Sequence, residues 1–165
     1  MKRLLVFVLP FLFLLPLAGQ ETGVTVPERS YGFNSLSLTA GFFPVYGSIH
    51  LAYEMVFEKG PERYIRYMGV KAQTGVWALW EDSGWELTTT CFWLMGRKNL
   101  SMEAGAGFTY LEYFTTDDWH LLPAGNLGLR YMKPGSPFFF RAGFGFPECV
   151  YFGGGMKIGG RKHGQ

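Results

Sequence analysis

The feature that most constrains this chain is an alternation of period two that returns eight times after residue 33, with no helical period among those segments. In 48–57, Ile49, Leu51, Tyr53, Met55 and Phe57 share one face, while Ser48, His50, Ala52, Glu54 and Val56 take the other. Successive side chains of a strand point to opposite sides, so such a segment reads as a strand with one greasy and one polar face. Segment 100–110 sets Leu100, Met102, Ala104, Ala106, Phe108 and Tyr110 against Ser101, Glu103, Gly105, Gly107 and Thr109. Segment 138–146 sets Phe138, Phe140, Ala142, Phe144 and Phe146 against Phe139, Arg141, Gly143 and Gly145. Five more, at 34–43, 64–75, 86–95, 124–131 and 150–159, follow the pattern less regularly, with Arg66 on the apolar side of the second strand of that group. Turn formers fill 43–47, 58–63, 96–99 and 133–137, whereas 76–85 and 111–121 are longer connections. Successive hairpins of this kind predict an all-β chain, an eight-stranded antiparallel up-and-down barrel whose closure leaves no edge strand.

Which face is outside decides the setting. A soluble barrel hides its apolar face and covers the other with charge; a membrane barrel does the reverse. The polar face here is too poor in charge for a water-facing surface. It offers His50, Glu54, Lys71, Glu86, Glu103, Arg130, Arg141 and Lys157, three Glu against four Lys and Arg, diluted by Ser, Thr and many glycines. The opposite face carries Leu, Phe, Met, Tyr and Val throughout, a very large sticky surface if it met water. Lipid contact resolves it, and the expectation is a transmembrane β-barrel. Trp77, Trp80, Trp85, Trp93, Tyr110, Tyr113, Trp119 and Tyr131 lie mostly at strand ends or in the longer connections, where amphipathic rings suit the headgroup level. With both chain ends on the periplasmic side, the two longest connections both fall on the outer side, as membrane barrels prefer.

Residues 1–19 stand apart. Lys2 and Arg3 precede an apolar run, Leu4 to Leu15, and Pro16-Leu17-Ala18-Gly19 supplies a break and small residues. That is the layout of a cleaved signal peptide, and the run is short of the roughly 20 residues of a membrane-spanning helix. The expected organisation is a signal peptide at 1–19, an N-terminal segment at 20–33, the barrel at 34–159 and a polar tail at 160–165. Of the 15 Lys and Arg, two leave with the signal, so 13 remain against 13 Asp and Glu. A neutral mature chain argues against a nucleic-acid partner.

The stretches Gly47-Ser-Ile-His-Leu-Ala-Tyr-Glu54, Met95-Gly-Arg-Lys-Asn-Leu-Ser-Met-Glu-Ala-Gly-Ala-Gly107, Asn126-Leu-Gly-Leu-Arg-Tyr131 and Phe138-Phe-Phe-Arg-Ala-Gly-Phe144 resemble small eight-stranded outer-membrane β-barrel proteins of Bacteroidetes-type bacteria. The resemblance covers about 34–159 and implies a bacterial outer-membrane location with no family-wide catalytic residues. It also implies a last strand ending in an aromatic residue, from which Ile158-Gly-Gly departs.

Candidate sites are few. His50, Glu54, Lys71, Glu103, Arg130, Arg141 and Lys157 are expected to form a polar network inside the lumen, which eight strands leave only wide enough for side chains to fill. No catalytic, cofactor or metal site is expected. Cys91 mid-strand and Cys149 in an outer connection sit at different heights, unsuited to a disulfide. An acyl hydrolase would need a Ser and a His together at the membrane surface; His50 near Ser35 and Ser37 reads more simply as lumen hydrogen bonding, His120 lies in an outer connection and His163 in the tail, and the hydrolase alternative rests on His50 or His120. Asp117-Asp118 with Glu112 reads as a solvated acidic loop. The functional expectation is a structural or interaction protein, with lipid around it and a protein partner at 76–85 and 111–121. Two alternatives stay open: a secreted calycin-like barrel binding an apolar ligand, and an outer-membrane lipid hydrolase.

Overall fold

A computed structural model of the chain describes residues 32–58, 64–96, 99–116 and 118–160. The expected signal at 1–19, His163 and Asp117 lie outside those residues. Eight strands follow one another: β1 Gly32–Phe43, β2 Tyr46–Glu58, β3 Ile65–Leu79, β4 Asp82–Met95, β5 Leu100–Tyr113, β6 Trp119–Met132, β7 Phe138–Phe146 and β8 Cys149–Gly160. Each pairs antiparallel with the next, and β8 returns to β1, closing the barrel. Gly32 and Gly160 lie at one end, called here the terminal end; the β1–β2, β3–β4, β5–β6 and β7–β8 turns lie at the far end.

The alternation sorts the two faces cleanly. Leu38, Leu51, Leu127, Phe140, Phe144 and Phe152 are all more than half exposed on the outer wall. Ser35, Ser37, Thr39, His50, Glu54, Lys71, Gln73, Glu86, Glu103 and Arg130 are buried inside. The barrel thus holds ionisable side chains at its centre and large apolar side chains on its outer wall.

Its centre is not wholly polar. Toward the terminal end, Val56, Phe92, Leu94, Met132 and Phe139 form an apolar layer across the bore, with Phe33 and Tyr67 packed against it. Inward glycines make the room: a Cβ at Gly69 would meet the Phe92 ring, and one at Gly155 the Phe139 ring. The register therefore sets each bulky inward ring over a position that has no side chain.

The expected connection at 76–85 is mostly wall. β3 runs to Leu79 and β4 starts at Asp82, so only Trp80 and Glu81 turn the chain, Trp80 at φ 43°. The expected connection at 111–121 shrinks likewise to 114–118. Aromatic rings extend these ladders: Trp85 lies against Tyr110, and Tyr110 stacks on Trp119 at an interplanar angle of 17°. Pro123, just ahead of the expected strand start at 124, sits inside β6. It is accommodated because β7 pairs only with Gly125–Met132, leaving Trp119–Ala124 with a single neighbour, β5. Arg66 does not join the apolar face either. A register irregularity between Ile65 and Tyr67 frees it, and its guanidinium lies 3.4 Å from Glu58.

Candidate functional site: the charged lumen

Six of the seven residues expected to form the lumen network, His50, Glu54, Lys71, Glu103, Arg130 and Arg141, are buried within the barrel. They come from β2, β3, β5, β6 and β7, because every strand turns its odd or its even positions inward. Lys157 does not meet them. It is half-buried near the terminal end, its ammonium 5.0 Å from the centre of the Phe33 ring.

The middle of the bore holds a closed quartet. Arg130 grips Glu54 with two hydrogen bonds, Nη1 to Oε2 at 2.7 Å and Nη2 to Oε1 at 2.9 Å. Its Nε donates to Glu103 Oε2 at 2.7 Å. Arg141 Nη1 donates to Glu54 Oε1 at 3.2 Å, and its Nη2 lies 3.2 Å from Glu103 Oε1 without hydrogen-bond alignment. Ser35 Oγ and Asn126 Nδ2 add donors to Glu54 and Glu103. Aromatic faces complete the enclosure: Phe92 and Phe139 flank the Arg130 guanidinium, and Tyr151 lies against that of Arg141. Bidentate arginine–carboxylate contacts are the strong, geometrically specific kind, and this set locks four strands together at one level.

A second cluster lies toward the far end. Glu148, in the β7–β8 turn, points inward and is buried. Gln73 Nε2 donates to Glu148 Oε1 at 3.0 Å and, more weakly, to Glu86 Oε1 at 3.4 Å; Lys71 Nζ lies 3.8 Å from Glu148. His50 Nε2 is 2.9 Å from Glu86 Oε1, but off the line of the ring N–H. Thr39, not Ser35 or Ser37, stands opposite His50 in the register. A hydrolase reading of His50 gains no support from this, since His50 and Glu86 are both fully enclosed and Ser48 Oγ bonds to neither.

Trp77 and Tyr113, read from the sequence as headgroup-level rings, instead meet edge to face with centroids 4.8 Å apart, Trp77 buried. Tyr113 also packs against His120. With Leu111 they cap the far end of the bore from within. Both cysteines are free, Cys91 exposed on the wall and Cys149 partly covered at the start of β8. Among the described residues no group of His, Cys, Asp and Glu is arranged to hold a metal ion. Asp118 is exposed in the 114–118 turn.

Glu86 and Glu148 were missing from the expected set. Alternation places Glu86 on the inner face, so that signal was available. Glu148 follows a proline in a turn, where period-two reasoning gives no facing. No protein-family model matches the chain, and no curated protein matches it.

Proposed function

We propose that this chain is an integral β-barrel of a bacterial outer membrane, delivered by the 1–19 signal, with a structural or interaction role and no catalytic one. The observation that carries this reading is the inverted polarity: large apolar side chains exposed around the wall, buried ions within. In water that wall would expose far more apolar surface than a soluble monomer tolerates, whereas hydrocarbon is its natural solvent. A calycin-like ligand binder needs the opposite arrangement, an apolar cavity behind a charged exterior.

The bore is blocked three times, by the apolar layer at Phe92 and Phe139, by the arginine–glutamate quartet and by the cap at Trp77 and Tyr113. A filled bore favours a scaffold or docking role over conduction. Contacts with another protein fall to the far rim, where Trp80 is 83% exposed at its turn and Phe114 is exposed in the next. Membrane fractionation with a heat-modifiability gel tests this reading. The expected result is recovery with outer membranes and a folded band that shifts on boiling; recovery in the soluble fraction without detergent overturns it.

A further inference from the structure

Among the described residues four carboxylates are buried in the lumen, Glu54, Glu86, Glu103 and Glu148, against three side chains with ordinary positive charge, Lys71, Arg130 and Arg141. The shortfall has a definite place. Glu54 and Glu103 share both arginines, and Glu148 has Lys71 and the Gln73 amide. Glu86 has a long contact from that same amide and the imidazole of His50 at 2.9 Å, while its Oε2 has no partner. A buried carboxylate without a counter-charge is strongly unfavourable. Histidine is the side chain able to supply one near neutral pH.

We propose that His50 carries the fourth positive charge, and that its proton latches the β7–β8 turn onto the far half of the lumen. The latch needs only the closed barrel and does not rest on the membrane reading. With His50 charged, Glu86 is neutralised from β2 and the Gln73 amide is free to hold Glu148. Without that proton, Glu86 and Glu148 are two buried anions bridged by one uncharged amide, whose two N–H groups reach both, with Lys71 as the cation beside them. Glu86 lies within β4, paired on both sides, so it cannot leave. Glu148 lies in a turn beside the shortest strand, where β6 runs past with no partner on the β7 side, so the turn is the element that yields.

Among the described residues, the surroundings of His50 contain no other source of the missing charge. β1 presents Thr39 and β2 presents Tyr46 and Ser48, neutral groups. β3 backs the ring with Gly75, where a Cβ would strike the imidazole, and offers Gln73 and Lys71, the latter already facing Glu148. β4 presents Glu86, and the β7–β8 turn presents Glu148 within electrostatic reach of His50. Arg141 on β7 is committed to Glu54 and Glu103. A protonated His50 holds the turn closed; the closed state is lost as rising pH removes the proton.

Cys149 adjoins Glu148 and is partly covered, so it reports the turn. The folded full chain carrying Cys91→Ser is labelled with a maleimide from mildly acidic to mildly alkaline pH, alone and with His50→Gln added. Dividing the first rate by the second cancels the thiol's own titration. The expected quotient is about tenfold below one in acid, the scale of one charge-assisted contact, and approaches one in alkali. A quotient that does not change with pH overturns the latch. Should His50→Gln fail to fold, nitrogen NMR of the parent reads the ring directly. Protons on both ring nitrogens at neutral pH support the proposal, and a neutral imidazole overturns it.

Discussion

Arg130 on β6 and Arg141 on β7 stand directly opposite one another in the register, two buried guanidinium groups on neighbouring strands. Like charges so placed normally destabilise a sheet. Here Glu54, reaching from the other side of the bore, accepts hydrogen bonds from both, and Glu103 lies against both as well. The repulsion across β6 and β7 is thereby turned into a four-residue clasp binding those strands to β2 and β5.

The clasp predicts unequal arginines. Arg130→Leu removes the contacts at 2.7–2.9 Å and leaves the two carboxylates to the looser Arg141 and the neutral donors Ser35 and Asn126. It is expected to cost about 3–5 kcal/mol, the range for breaking a buried ion pair from one side. Arg141→Leu, whose contacts are 3.2 Å, should lower the heat resistance of the folded band less. Combining Arg130→Leu with Glu54→Leu should recover part of the loss, because no lone charge is then stranded. Urea unfolding in detergent measures all three; equal effects from the two single changes would sink the clasp.

Glycine positions facing large rings should tolerate nothing bigger. Gly155→Ala drives a methyl into the Phe139 ring and the Leu36 carbonyl, an overpacking expected to cost about 1–3 kcal/mol. Adding Phe139→Leu should return part of it. Gly47→Ala, where a Cβ meets nothing within 4 Å, is the control and should stay within about 0.5 kcal/mol of the parent. Refolding yield and urea midpoint give the comparison.

The outer wall makes the opposite kind of prediction. Phe140→Arg adds a charge where the parent side chain is 64% exposed. On the surface of a soluble protein this would be nearly neutral or favourable. Facing hydrocarbon near the bilayer centre it is expected to cost about 2–4 kcal/mol of folding into lipid vesicles. An unaffected folding free energy would count against membrane placement.

Cys91 tests the same assignment from a different direction. It lies exposed on the wall in mid-β4, paired with Val70 on one side and Ala106 on the other. A nitroxide attached there, in the barrel folded into vesicles, should be relaxed by dissolved oxygen far more than by a water-soluble nickel chelate. Dominant relaxation by the chelate would mean that this face meets water.

How far the sequence alone reaches is visible residue by residue. Leu51 beside His50 and Met102 beside Glu103 suffice to put greasy and polar side chains on opposite faces, since a strand leaves no third direction, and the scarcity of charge on the polar face is what turns it inward. Strand lengths were less legible. The stretches 76–85 and 111–121 read as connections, yet Trp85, Tyr110 and Trp119 hold β4, β5 and β6 together well beyond the expected ends. What extended them was contact between rings on neighbouring strands.

Period and residue type thus determined that eight strands form, which side of each is greasy, and that ionisable groups share an interior. Only the closed barrel decided which of those groups meet. Partners across the bore, such as Arg130 and Glu54, are separated by 76 residues of chain, and the stagger of the strands sets their heights, which no local pattern records. The same stagger left Lys157 outside the cluster, while the β7–β8 turn brought in Glu148, exchanging a cation for an anion.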